Sequence, residues 1–384
     1  MNAAGILDQL AITHELLSAL AGSVDDSDCR AQHHPDLSPL GWHLGHCVYI
    51  ECFWLHEQVR GDDSVTAPLA RLYTPPHTPK PERGRLLPPQ SQLLQWAHEL
   101  HAFNRSYLAN LPAELADHEL FHDDYLQGFL LQHHSQHYET MLMVLTQRAL
   151  AAAPNDFQVH TPLQPAQPVR DTRQVPAGHY RVGGRRPEAF DNELPVQRAE
   201  LGRFDIATHP VTNAEYLAFM EAGGYQDARW WSPAGWAWRE AASAAHPDHW
   251  RRNGRGEWFG IAARGPYELT AGEPVLGINH HEASAFAAWA DGQLPHEYQW
   301  EAACRLGVLE QTGRAWEWCA NTFHPYEGFE SFPYREYSTP WLGGDHYTLK
   351  GGSLHTRPAV KRASFRNFYE PDKRHIFAGL RLVY

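Results

Sequence analysis

Apolar positions in the first 150 or so residues recur with a helical period. Ile6 to Leu20, Pro39 to Arg60, Gln90 to Leu111 and Asp124 to Ala153 each carry that spacing, with proline-rich loops between them. Four amphipathic segments of this kind pack most simply as a four-helix bundle. The second opens with Ser38-Pro39, a capping serine followed by proline at the first helical position. From Pro154 to about Pro176 the chain is rich in proline and glutamine and loses its period, as a linker does. Beyond it, short strand-like pieces alternate with glycine- and tryptophan-rich turns, and helical spacing returns only at Glu282 to Ala290 and around Tyr298 to Arg305. An irregular α+β domain is expected there. The expected boundaries are 1–153 for the bundle, 154–175 for the linker and 176–384 for the second domain.

Composition narrows the function classes. With 384 residues, 43% hydrophobic and 12% aromatic, the chain can bury two sizeable cores. It holds no run of 18 apolar residues, and Met1-Asn-Ala-Ala-Gly-Ile-Leu7 lacks the basic start and apolar core of a secretory signal, so no membrane partner and a cytoplasmic location are expected. Cys29, Cys47, Cys52, Cys304 and Cys319 form no CxxC pair and suit reduced thiols. A formal net charge of −13 argues against non-specific nucleic-acid binding. Gly183-Gly184 and Gly351-Gly352 lie outside the strand-to-helix setting that cradles phosphate.

The chemistry is concentrated in histidine. In Leu131-Gln-His-His-Ser-Gln-His-Tyr-Glu139, His133 and His137 stand four apart on one helix face and could share a metal ion. On the second helix, Trp42, His46, Tyr49 and Phe53 fall on the inward stripe, so His46 is a better third ligand than His43, which sits to one side. Three neutral imidazoles leave coordination positions open, as a catalytic centre requires. The same histidines would also suit a bundle whose core imidazoles are simply hydrogen-bonded. Glu139, two residues past His137, is turned by roughly 200° and is expected to orient a histidine or pair with a cation, not to ligate. Gln136 lies near the His133 face and could touch a ligand at the open position. Between prolines, Lys80, Arg83 and Arg85 form a basic loop that could meet an anionic ligand, or simply be solvated.

A resemblance then emerges from motifs in fixed order. Val175-Pro-Ala-Gly-His-Tyr-Arg-Val-Gly183, Asp191-Asn-Glu-Leu-Pro195, Pro210-Val-Thr-Asn-Ala-Glu-Tyr216, Gln293-Leu-Pro-His-Glu-Tyr-Gln-Trp-Glu301, Ala315-Trp-Glu-Trp318, Lys350-Gly-Gly-Ser353, Phe365-Arg-Asn367 and Gly379-Leu-Arg381 resemble the formylglycine-generating-enzyme (C-type-lectin-like) fold. Preceded by a DinB-like four-helix bundle with an HxxxHxE signature, the whole chain resembles the ergothioneine sulfoxide synthase family, including selenoneine synthases.

That resemblance implies a mononuclear non-heme Fe(2+) held by His46, His133 and His137, with O2 as co-substrate and hercynine as acceptor of a carbon–sulfur or carbon–selenium bond. It implies a catalytic phenol at Tyr334, hercynine contacts at Gln136, Tyr337, Asn367 and Phe368, and donor contacts near Tyr369, Lys80 and Arg83. Many relatives that use γ-glutamylcysteine carry an aspartate where this chain has Tyr369. Its absence removes a partner for the donor's ammonium and turns the expectation toward a selenosugar, although Glu370 or Asp372 could fill that role. The alternatives are ergothioneine synthesis from γ-glutamylcysteine or cysteine, and, from another class, a lectin-like binding module with structural histidines. Formylglycine generation is not expected, because Cys304 and Cys319 do not match that enzyme's copper-binding pair.

Overall fold

The computed structural model describes residues 3–115, 117–333 and 335–384. It divides into two compact units, Met1–Ala151 and Ala152–Tyr384. Among the described residues no helix is long and apolar enough to cross a membrane.

The first unit is helical: α1 (Ala3–Gly22), α2 (Asp26–Arg30), α3 (Leu40–Cys52), α4 (Ala70–Tyr73), α5 (Lys80–Leu86), α6 (Gln90–Ala109) and α7 (Tyr125–Ala151). The bundle is made by α1, α3, α6 and α7, with α1 and α3 each packing on both α6 and α7. Every residue of α3 is buried. A helix enclosed on all sides must satisfy each polar side chain internally, and this fixes the fate of His43, His46 and Glu51. After Cys52 the chain continues as a π-helix, Phe53–Gln58. Its i→i+5 turns absorb an extra residue, which brings His56 round to the side of Glu51 so that both reach Asn104 on α6.

Two local expectations are corrected. Ser38 does not cap α3: Pro39 occupies the cap position without a side-chain bond, and the Ser38 hydroxyl instead accepts from Arg83 Nη1 at 2.5 Å. The segment around Lys80 and Arg83 is no stiff loop but the helix α5, because Pro81 sits in its first turn, where a missing N–H costs nothing. Arg83 points inward, 4% exposed, and donates to Ser38, to the Thr78 carbonyl at 3.0 Å and to the Pro75 carbonyl at 2.6 Å. Lys80 remains exposed.

The second unit is a loop-rich α+β fold with β1 (Thr172–Val175), β2 (Gly178–Val182), β3 (Gln197–Leu201), β4 (Phe204–Ala207), α8 (Asn213–Glu221), α9 (Pro233–Ala242), β5 (Trp250–Arg252), β6 (Trp258–Ala262), β7 (Gly265–Tyr267), α10 (His280–Trp289), α11 (Glu297–Arg305), β8 (Trp316–Thr322), β9 (Tyr347–Lys350), β10 (Asn367–Tyr369) and β11 (Ala378–Gly379). The largest sheet runs β10-β9-β8-β11, antiparallel except for the β8–β11 pair. Capping boxes start α8 at Thr212 and α10 at Asn279.

The recurring charged letters of this half are buried ion pairs. Glu297 and Glu301 on α11 meet Arg366 at 2.7 Å and Lys350 at 3.1 Å, and Glu317 on β8 meets Arg381 at 2.7 Å. All six are almost fully enclosed. Removing one member strands its partner's charge, at a cost of about 3–5 kcal/mol.

Candidate metal centre

α7 carries His133 and His137 one turn apart, with ring centroids 4.5 Å apart. From α3, His46 approaches to 5.2 Å and 4.8 Å of these rings. Each offers one ring nitrogen such that the three atoms lie within 4.8 Å of one another. The three expected imidazoles therefore converge. His46 and His133 are buried and His137 is half-buried.

What orients them is a separate partner for each Nδ1. His46 Nδ1–H donates to the Tyr73 carbonyl at 2.7 Å. His137 Nδ1 lies 3.0 Å from His43 Nδ1, and His133 Nδ1 lies 3.4 Å from His134 Nδ1, so one ring of each pair carries the shared proton. With Nδ1 engaged throughout, Nε2 is the atom each ligand has left for a metal. Burial lowers the His46 pKa to about 4 and pushes His133 and His137 well below the usual imidazole value. Burial thus favours the neutral imidazole, the form that binds metal. A set of neutral imidazoles with positions to spare fits iron(II), and among the described residues no carboxylate belongs to this group.

His43, judged peripheral from its place on the helix, is thus part of the apparatus as the partner of His137. Trp42 lies stacked on His46, centroids 4.6 Å apart and 11° from parallel. Tyr73 fits against α3 only because residue 45 is glycine: a Cβ there would stand 2.3 Å from the tyrosine oxygen.

A second buried cluster stands beside the first. Glu51 Oε1 receives His14 Nε2–H at 2.5 Å and has His134 Nε2 at 3.2 Å, while Oε2 receives Asn104 Nδ2 at 3.1 Å. The His134 N–H does not point straight at the oxygen, so that contact is more electrostatic than hydrogen-bonded. Burial opposes charge on Glu51, but His14 and His101 together with the N–H donors of His134 and His14 outweigh it, holding the carboxyl well below its usual range. Sequence reading passed over Glu51 and looked to Glu139, which is buried on α7 but does not belong to the convergent histidine set. The missed signal was a lone acid in an otherwise apolar, histidine-bearing helix.

The remaining expected contacts divide between the units. Gln136 is half-buried on α7 and its amide donates to the Gln132 carbonyl at 3.4 Å. In the second unit Asn367, Phe368 and Tyr369 form β10, paired with Leu349, Thr348 and Tyr347. The Phe368 ring stacks on Phe323 at 4.2 Å, with Trp341 and His346 at 6.4 and 6.1 Å. Tyr369 meets the His375 ring edge-on at 5.9 Å. Tyr337 stacks on Phe190 at 4.4 Å. Tyr334 lies outside the described residues.

Comparison with known proteins gives this arrangement its setting. A family model for the sulfatase-modifying factor enzyme 1-like domain matches residues 158–312 and 305–384, and one for the DinB superfamily matches residues 9–141. The hercynine oxygenase of Mycolicibacterium smegmatis is 31% identical, over 99% of this chain and 98% of its own length. That of Mycobacterium tuberculosis is 31% identical over 94% of each. A formylglycine-generating enzyme of Thermomonospora curvata is 33% identical, but over 37% of this chain and 50% of its own length. Similarity running through both domains separates the first two relatives from the third, and by it the chain belongs to the hercynine oxygenase family, the ergothioneine sulfoxide synthases.

Proposed function

We propose that this chain holds iron(II) through His46, His133 and His137 and uses O2 to join a selenium or sulfur donor to the imidazole carbon of hercynine. The observation that carries the reading is the convergence of three imidazoles, each with its Nδ1 already engaged. Bound iron would supply open positions for O2 and a soft chalcogen and the electrons that start reduction of oxygen. The chain's own residues would bind and orient the substrates. Phe368, with Phe323 and Trp341 about it, offers an aromatic face to a trimethylammonium group that has no N–H to donate. Asn367 and the Gln136 amide offer hydrogen bonds to the substrate, and Tyr337 offers a phenol. Tyr334 is assigned the proton-donating phenol by resemblance alone.

The donor is proposed to be a selenosugar. Beside Phe368 stands Tyr369, not a carboxylate, and the nearby acids have other partners: Glu370 lies 3.6 Å from His346, and Asp372 lies 3.4 Å from Lys373. A donor ammonium would find those charges already shared, while a sugar needs none. Ergothioneine synthesis from γ-glutamylcysteine or cysteine is the second reading, in line with a family whose members make a carbon–sulfur bond. Formylglycine generation has less support, because the formylglycine-generating relative matches 37% of this chain and half of its own length, whereas the hercynine oxygenases match nearly all of both.

The test begins with metal-free chain titrated anaerobically with Fe(II). One equivalent per chain is expected, lost in His137→Ala; no uptake would favour a lectin-like module. Hercynine with selenosugar, γ-glutamylcysteine or cysteine is then compared for binding and, with O2, for product. Tighter binding of γ-glutamylcysteine would overturn the donor assignment and leave the reaction class intact.

A further inference from the structure

Behind His133 the bundle contains a chain of polar contacts that the three-ligand site does not need. His133 Nδ1 is 3.4 Å from His134 Nδ1, and His134 Nε2 is 3.2 Å from Glu51 Oε1. All three residues are buried, His134 and Glu51 completely. The proton positions follow from the ends of the chain. For His133 to present Nε2 to a metal its proton must sit on Nδ1, so it donates to Nδ1 of His134. That leaves the His134 proton on Nε2, facing a carboxylate that can only accept.

Further contacts hold the carboxylate in place. His14 and Asn104 donate to its two oxygens, and Asn104 in turn accepts from His56 at 2.9 Å. Arg105 Nη1 donates to His14 Nδ1 at 3.0 Å, which requires a lone pair there and fixes the His14 proton on Nε2. The same contact bears on what else this cluster could be. His14, Glu51, His101 and His134 bring ligand atoms within 4.8 Å of one another, which invites a second metal. A ligating histidine must free one nitrogen for the metal and protonate the other, and Arg105 leaves His14 no way to do both. His14 and His101 are also stacked, 3.7 Å apart and 4° from parallel, so their in-plane lone pairs run side by side and do not meet at one point.

We propose that His134 and Glu51 are positioning residues for the metal centre, a histidine-to-carboxylate relay that fixes the tautomer of His133 and lends negative charge to an otherwise neutral ligand set. This rests on the reading of His46, His133 and His137 as ligands. The physical need is specific: three neutral imidazoles leave the full double charge of a divalent ion uncompensated, and a buried carboxylate 3.2 Å from the second imidazole, acting on it electrostatically, raises ligand basicity from a distance. It also separates this ligand from its neighbours, since His46 is oriented by a backbone carbonyl and His137 by another imidazole.

The test is a double-mutant cycle on the full chain with Glu51→Gln and His134→Leu, read by Fe(II) affinity and by the visible absorption of Co(II) placed in the site. Either single change is expected to weaken Fe(II) binding about 10- to 100-fold and to shift the Co(II) bands. In the His134→Leu background, Glu51→Gln is expected to add little, because the path is already cut. Should Glu51→Gln destabilise the bundle, Asn104→Ala serves as a control: it loosens the same carboxylate's other oxygen, and metal affinity should fall less than in Glu51→Gln for an equal loss of thermal stability. Additive effects in the double variant, unchanged affinity and spectrum in both singles, or a second metal equivalent that disappears with Glu51 would each overturn the proposal. A wild-type chain that takes up no Fe(II) would instead defeat the ligand reading on which it stands.

Discussion

The guanidinium of Arg83 lies 4.1 Å from the centre of the Trp42 ring. Trp42 also stacks on His46 and donates its indole N–H to the Leu72 carbonyl at 2.8 Å, so the cation, the indole and the His46 imidazole form one packed group. This explains how Arg83 can be buried next to the proposed metal site. Its charge is spread over a planar group, spent on three oxygens and held against an aromatic face.

Replacing Arg83 by Lys should therefore act on the metal site and not on a donor. A lysine cannot satisfy Ser38, Thr78 and Pro75 together, and the loss should be about 2–3 kcal/mol of stability. Fe(II) affinity should fall about tenfold as His46 loses its backing. Thermal unfolding and anaerobic metal titration measure both. A variant with normal stability and metal content but a raised KM for the donor alone would return Arg83 to the ligand contacts expected from sequence.

Asp191 offers a handle on the second unit. Its carboxylate accepts Ser338 Oγ–H at 2.5 Å and the Phe332 N–H at 3.3 Å, bracketing the segment that leads to Tyr337. The adjoining Asn192 donates to Ser338 and accepts, through its carbonyl, from Arg366, the residue before Asn367. One short turn thus anchors two stretches assigned to hercynine. Asp191→Ala should leave Fe(II) binding unchanged within about twofold while raising the hercynine KM by about tenfold or more, the cost of a lost hydrogen-bond anchor. Equal losses of metal and substrate would mean general unfolding and remove the positioning role.

How much of this was legible beforehand depends on whether a partner lies on the same element. His133 and His137 are visible because helical spacing alone puts them together, and His46 because it falls in the apolar stripe of its own helix. Two of the three Nδ1 partners are not, since Tyr73 reaches His46 from another segment and His43 reaches His137 across the bundle, whereas His134 directly follows His133 on the same helix. Arg83 was misread because prolines on both sides suggest a loop, whereas Pro79 and Pro81 stand at the cap and first turn of a helix. In the second unit the motifs marked the fold correctly, but Glu297, Glu301, Glu317, Lys350, Arg366 and Arg381 are charged letters whose burial only tertiary pairing makes tolerable.

Acid should destabilise the metal-free chain in part through buried histidines of the second unit. Burial lowers His249 to about 4 and His280 to about 3. Between about pH 6.5 and those values the unfolded chain binds protons that the folded one refuses. Stability is then full above about pH 6.5 and declines as pH falls toward 4 and 3, by at most about 3–5 kcal/mol for each group. His280→Gln keeps a donor for the Cys319 carbonyl, which His280 Nε2 meets at 3.1 Å. Comparing urea midpoints at pH 7.5 and 4.5 should show a smaller acid loss in this variant than in the wild type. An identical loss would assign the acid sensitivity elsewhere.

Gly45 gives the sharpest link between a packing detail and the metal. It directly precedes His46, and a Cβ there would come within 2.4 Å of two Tyr73 ring atoms and of the tyrosine oxygen, closer than any real contact. Tyr73 is almost wholly enclosed, so its ring cannot swing aside without moving the backbone. That backbone carries the carbonyl that accepts the His46 Nδ1–H. Gly45→Ala removes helix-interior glycine, which by propensity alone would stabilise α3 by about 1 kcal/mol. Overpacking should reverse the sign, with a net loss of about 1–3 kcal/mol. Because the displaced group is the orienting carbonyl, Fe(II) affinity should fall by more than in a variant of equal stability loss placed elsewhere in the bundle, such as Leu10→Val on α1. If Gly45→Ala binds iron as tightly as that control, then Tyr73 relaxes without its carbonyl, and the hydrogen bond to His46 does not depend on the close approach of ring and helix.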